Sequence, residues 1–123
     1  MSSRTLAYGR EDRDLAVLYS HTMNLGIPDD MYFIEKPGET TKLDELLSVV
    51  QAGDTVVVGT ITDFTASGEL LEILMVLEDL NDAGVKVISR LEPDYDIKVY
   101  RAALRVAEEM LNIQAGLGPV RVR

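Results

Sequence analysis

The run Thr55-Val56-Val57-Val58, set directly behind a Gly53-Asp54 turn, constrains the fold of this chain more than any other feature. A strand wetted on one face alternates apolar and polar residues, whereas an unbroken Val run fits a strand covered on both faces. Sheets covered in that way are mostly parallel and need a helix in each crossover. The flanking sequence supplies the helices.

Thr5-Leu6-Ala7-Tyr8 reads as a first strand. Asp12 or Asp14 then caps a helix to about Asn24, with Leu15, Leu18, Thr22 and Leu25 at helical spacing. Gly26 and Pro28 stop it. Met31-Tyr32-Phe33-Ile34 has the β-branched and aromatic character of a second strand, and Pro37-Gly38 marks a loop. Thr41 with Asp44 three residues on has the form of a capping box, opening a helix to about Gln51 with Leu43, Leu46, Leu47 and Val50 as its buried stripe. After the Val run comes a polar loop over 60–66. Ser67 caps a long helix to about Asn81, Gly84 ends it, and Val85-Lys86-Val87-Ile88-Ser89 is a fourth strand. Asp96 caps a last helix to about Gln114, which Gly116, Gly118 and Pro119 terminate.

The order βαβαβαβα predicts one α/β domain over 1–123, with short tails at 1–4 and 115–123. Its expected form is a flavodoxin-like three-layer sandwich: a four-stranded, mainly parallel sheet, helices on both faces and a long C-terminal helix. Ligand sites in such sheets gather at the carboxyl ends of the strands, here residues 9–12, 35–40, 59–66 and 90–94.

Composition narrows the function. The formal charge is −9, with 21 acidic against 12 Lys and Arg residues, which disfavours autonomous binding to nucleic-acid phosphates. The only small basic cluster is Val120-Arg121-Val122-Arg123. There is no cysteine, so neither a disulfide framework nor a Cys-based zinc site is expected. No stretch approaches the ~18 apolar residues of a membrane span, and Met-Ser-Ser-Arg at the start leads into no secretory signal. A cytoplasmic protein with no membrane contact is the expectation. No phosphate-cradling glycine spacing occurs, the lone His21 sits in a predicted helix, and no cofactor or metal is expected.

The last predicted helix carries an apolar stripe of Tyr100, Ala103, Leu104, Ala107, Met110 and Leu111. Lys98, Arg101, Arg105, Glu108, Glu109 and Asn112 lie opposite. Such a stripe either packs on the domain's own sheet or forms an interface between copies.

Several landmarks in order resemble the catalytic domain of serine recombinases, the resolvase and invertase family. They are Tyr8-Gly9-Arg10 closing the first strand, Phe33-Ile34-Glu35 in the second, and Leu43-x-x-Leu46-Leu47 leading to the Gly53-Asp54-Val run. The long helix ending at Ala83-Gly84-Val85-Lys86-Val87 and the terminal helix complete the set, over about residues 6–114. The resemblance implies a pocket of Tyr8, Arg10, Asp12, Glu35, Thr40, Thr62 and Asp63, and a terminal helix that joins copies through Tyr100, Leu104, Ala107, Met110 and Leu111. Those enzymes attack a DNA phosphodiester with a serine hydroxyl held among arginines that neutralise the phosphate.

The departures fall on the chemistry. Asp12 stands at the nucleophile's position, beside Glu11, where a carboxylate repels phosphate. Arg10 matches the family's first arginine, but Thr40 stands where the next is expected, and Thr62-Asp63-Phe64-Thr65-Ala66 lacks the later pair. The family's separate DNA-binding domain also has no counterpart in 1–123. The expected function is therefore that of a catalytically inactive domain, its pocket vestigial, working by association. Its expected partners are its own copies, as a dimer or tetramer, or an active serine recombinase that it regulates. One alternative is an active recombinase with displaced catalytic residues. Another takes Glu11, Asp12 and Asp63 as the acidic pocket of a Mg²⁺-dependent receiver-like phospho-acceptor.

Overall fold

The computed structural model of the chain describes residues 3–13, 15–94, 96, 98–99, 101–102, 105–106 and 108–110. Four strands, β1 (Thr5–Arg10), β2 (Tyr32–Glu35), β3 (Thr55–Val58) and β4 (Lys86–Ser89), form one sheet in the order β2-β1-β3-β4. Every pairing is parallel, with Ala7 opposite Tyr32, Leu6 opposite Val56 and Val56 opposite Val87. The strand order reverses between β1 and β3, the place where ligand crevices form in sheets of this kind.

Three helices fill the crossovers: α1 (Leu15–Thr22), α2 (Thr41–Val49) and α3 (Leu70–Asp82). Successive strand residues point to opposite faces. Leu6, Tyr8, Val56 and Val58 accordingly meet Leu43 and Leu46 of α2 and Ile73, Leu74, Leu77 and Leu80 of α3. Ala7 and Val57 point the other way, onto Leu15 and Leu18 of α1. Each of these aliphatic side chains gains about 1.5–3 kcal/mol on leaving water. The Val run is buried along its whole length because both faces are covered. α1 lies close to β1: a Cβ on Gly9 would stand 2.8 Å from Leu18 Cδ2, so any larger residue there makes the leucine side chain shift.

Several boundaries differ from the sequence expectations. α1 ends at Thr22 and Leu25 is exposed, because a turn over 23–26 carries the chain off the sheet. Met31 belongs to a short 3-10 turn, Asp29–Met31, rather than to β2. Ser67 does not cap α3. Its Oγ accepts from Glu69 N at 3.1 Å in a preceding turn, and the helix begins at Leu70. The expected polar loop over 60–66 holds a 3-10 turn, Ile61–Phe64, that buries Ile61 and Phe64.

Asp96 accepts from Lys98 N at 2.8 Å, as a cap should, and the described residues of 98–110 are helical. Arg101 ties that segment to α3 through Glu78 Oε1 at 2.6 Å and Asp82 Oδ1 at 3.1 Å. Of the expected interface residues, Tyr100, Leu104, Ala107 and Leu111 lie outside the described residues, as do the expected cap Asp14 and the tail 115–123. Met110 is described and exposed. Among the described residues no helix is long and apolar enough to cross a membrane.

The start of β1 is strapped to the turn before β3. Asp54 accepts from Arg4 N at 3.0 Å, Arg4 Nη2 at 3.0 Å and Gln51 N at 2.9 Å. Burial alone would raise the Asp54 carboxyl, but these donors outweigh it and hold it below the usual carboxylate range. A depressed acid contributes stability above its unfolded value and loses it as pH falls through the folded one. Asp54→Asn is therefore expected to cost about 1 kcal/mol at neutral pH. Urea titrations should show that cost shrinking toward pH 3.

Candidate functional site

Four of the seven expected pocket residues meet at the carboxyl ends of β1 and β2. Arg10 closes β1, the strand flanked on both sides, and loses all contact with water. Its Nε donates to the carbonyl oxygen of Asp63 at 2.8 Å. Among the described residues, neither Nη of Arg10 nor Oδ1 of Asp63 has a hydrogen-bond partner. Phe64 brings the 3-10 turn down onto β1, its ring stacked on Tyr8 at 5.5 Å between centroids and 9° between planes. Arg10 is thereby roofed by the segment that follows β3.

Tyr8 OH donates to Glu35 Oε2 at 2.8 Å. The same carboxylate accepts from Leu43 N at 2.7 Å and, through Oε1, from Lys42 N at 3.1 Å. Glu35, at the end of β2, thus satisfies two of the orphan amides at the start of α2 and sits where the helix dipole favours an anion. The Thr41–Asp44 capping box does not form: Thr40 holds the cap position with no side-chain cap bond, and Glu35 does the work from the preceding strand.

The other three pocket residues stand apart. Asp12 and Thr40 are exposed, and Thr62 is half-buried, with its carbonyl taken by Arg13. Arg13 also donates to the carbonyls of Thr65 at 2.9 Å and Ala66 at 2.7 Å, so its guanidinium is spent on holding the roof. Glu92 does the same from β4's side, accepting from Thr60 Oγ1 and Ile61 N at 3.0 Å each and from Ser89 Oγ. Sequence reading gave neither Arg13 nor Glu92 a role, because their partners lie dozens of residues away and no local spacing marks them.

The electrostatics follow from enclosure. Burial, then the hydrogen bond to Glu35, push the Tyr8 hydroxyl far above its usual range. Burial raises the Asp63 carboxyl to about 6, against the lowering pull of Thr60's backbone and of Arg13 and Arg10. Among the described residues no group of three or more His, Cys, Asp or Glu side chains could hold a metal ion. Asp63 faces inward while Glu11 and Asp12 face solvent, so the three acids do not converge. The arrangement is a closed polar core between sheet and roof. Among the described residues it has one buried cation, Arg10, and two buried acids, Glu35 and Asp63. No protein-family model matches this chain, and no curated protein is significantly similar to it.

Proposed function

We propose that this is a flavodoxin-like domain that works by protein association in the cytoplasm, a degenerate relative of the serine recombinase catalytic domain. The observation that carries the reading is an apolar stripe facing water. Val99, Val106 and Met110 are 64%, 53% and 56% exposed. Their spacings of seven and four residues align them on one side of the helical segment, away from the Arg101 contacts with α3. Large exposed apolar residues in register favour a partner surface over solvent. In this reading the long terminal helix pairs copies of the domain as a dimer or tetramer, or inserts it into an assembly with an active recombinase.

The pocket supports the non-enzymatic half of the reading. The one arginine that matches the family is fully buried and bonded to the backbone of Asp63, and Asp12 stands where the resemblance puts the nucleophile. Catalysis of phosphoryl transfer needs donors aimed at the developing charge, and each one lost costs on the order of a hundredfold. No covalent adduct is expected on a nicked DNA substrate; an adduct found by denaturing electrophoresis would restore the enzyme reading. Val106→Asp should reduce the sedimentation mass to that of a monomer while the circular dichroism is kept. An unchanged mass in Val106→Asp and in Val106→Asp/Met110→Asp would remove the association reading.

A further inference from the structure

β2 is an end strand of the described sheet, and residues 15–94, which hold it and its sequence neighbours, are described without a gap. Glu11 N bonds to Glu35 O at 2.9 Å, so Phe33 and Glu35 turn their backbone groups toward β1. By alternation Tyr32, Ile34 and Lys36 turn theirs outward. Two of these outward groups are already used. Tyr32 N donates to Asp29 O, and Lys36 O accepts from Glu39 N at 3.1 Å. Among the described residues the amides of Ile34 and Lys36 and the carbonyls of Tyr32 and Ile34 have no partner.

That set is complementary to itself about a two-fold axis at Ile34. In an antiparallel pairing centred there, Ile34 lies opposite Ile34 of a second copy, and Lys36 lies opposite its Tyr32. Ile34 of each copy then donates to the other's Ile34 carbonyl, and Lys36 N donates to the Tyr32 carbonyl. The ladder uses every unpaired group and calls on neither of the two already bonded. We propose that a second copy of this chain docks along β2, joining the two four-stranded sheets into one across the two-fold.

The side chains support the same pairing. Tyr32 and Ile34 lie on the α1 face, which a two-fold normal to the sheet sets beside the same face of the second copy. Tyr19 of α1 stands against Tyr32 with 5.4 Å between ring centroids, and Met23, one helical turn on, is exposed as Tyr19 is. Lys36 is exposed and is the only Lys or Arg between Arg13 and Lys42. Opposite Tyr32 it meets that aromatic pair and comes near the exposed Asp29 and Asp30. Pro37 has no amide to extend the ladder, and an isologous contact closes as a dimer. The contact is separate from the helical stripe and does not rest on it.

Amide hydrogen exchange on the Val106→Asp chain tests it with the stripe disabled, so the outcome is independent of the association through the terminal helix. A rise of about a hundredfold in concentration should slow exchange at Ile34 and Lys36 about tenfold, as dimer mass action requires. Tyr32, whose amide is bonded within its own chain, should not change. Lys36→Glu sets a further acid against Asp29 and Asp30 and should abolish the dependence read at Ile34, with the circular dichroism kept. Exchange at Ile34 and Lys36 that ignores concentration would overturn the proposal, whether those amides are fast or protected. A dependence that survives unchanged in Lys36→Glu would place the second copy in another register and overturn this one.

Discussion

Glu35→Ala is expected to remove about 4 kcal/mol of stability. The carboxylate has no exposed surface and accepts from Tyr8 OH, Leu43 N and Lys42 N. Its removal leaves a buried hydroxyl and two amides at a helix start without an acceptor. Each orphaned donor costs about 1–3 kcal/mol, and the lost cap falls within that sum. Small domains hold about 5–15 kcal/mol in all, so the variant should be close to unfolding at room temperature. The readout is the urea midpoint, which should fall while the slope is kept. Glu35→Gln keeps the shape and one acceptor but turns an amide NH2 toward other donors, so it should cost about half as much. Tyr8→Phe should cost about 1 kcal/mol alone and almost nothing in the Glu35→Ala background, because the two side chains share one bond. Additive losses would mean that Glu35 acts through α2 alone.

The architecture was legible where it rested on short-range pattern. Val56, Val57 and Val58 announced a strand covered on both faces, and α1 against α2 and α3 supplies those faces. Gly53 and Gly84 fell where the backbone turns into its left-handed region, at φ 94° and 79°. What the pattern missed is long-range polar pairing. Thr41 and Asp44 have a capping-box spacing, yet the cap comes from Glu35 on the preceding strand. Local spacing records only local partners. Arg10 carries the same lesson about burial. A charged residue at a strand end usually reaches water, but β1 has a neighbour on each side and Phe64 closes over its end. Of the seven pocket residues that the resemblance implies, Tyr8, Arg10, Glu35 and Asp63 lie together, while Asp12 and Thr40 are exposed and Thr62 is half-buried. The resemblance could not convey that the roof held by Arg13 and Glu92 shuts the first four from solvent.

That enclosure bears on what the pocket can admit. A pocket used on phosphate must admit it, and its cations must keep free donors pointing at the opening. Here the guanidinium of Arg13 is committed to three backbone carbonyls and Nε of Arg10 to a fourth. These contacts stabilise the turn after β3. Polar residues at the sheet's carboxyl end are thus part of the core, while apolar side chains at Val99, Val106 and Met110 face out. Under the proposed association reading, the working surface is the helical segment.

Asp63→Asn is expected to stabilise the domain by about 2 kcal/mol above pH 6 and to have no effect below pH 4. Asp63 is 3% exposed, and burial lifts its carboxyl to about 6 from an unfolded value of 3.8. An acid whose folded value is raised holds its proton more tightly when folded, so its ionisation opposes folding. The penalty is absent where both states are protonated, grows as pH climbs from about 4 to about 6, and is constant beyond. The shift alone corresponds to about 3 kcal/mol, and solvent screening at the edge of the roof trims it to about 2. Asparagine keeps the shape and deletes the charge. The difference in urea stability between variant and parent should therefore follow a titration curve centred near pH 5. Arg10 sets a limit on the gain, because its buried charge loses a nearby carboxylate when Asp63 is neutralised. Arg10→Met/Asp63→Asn removes both charges and should be more stable at pH 7 than Arg10→Met, which strands the acid alone. A stability difference for Asp63→Asn that is flat from pH 4 to pH 8 would show that the acid stays ionised in the fold, compensated by the two arginines around it.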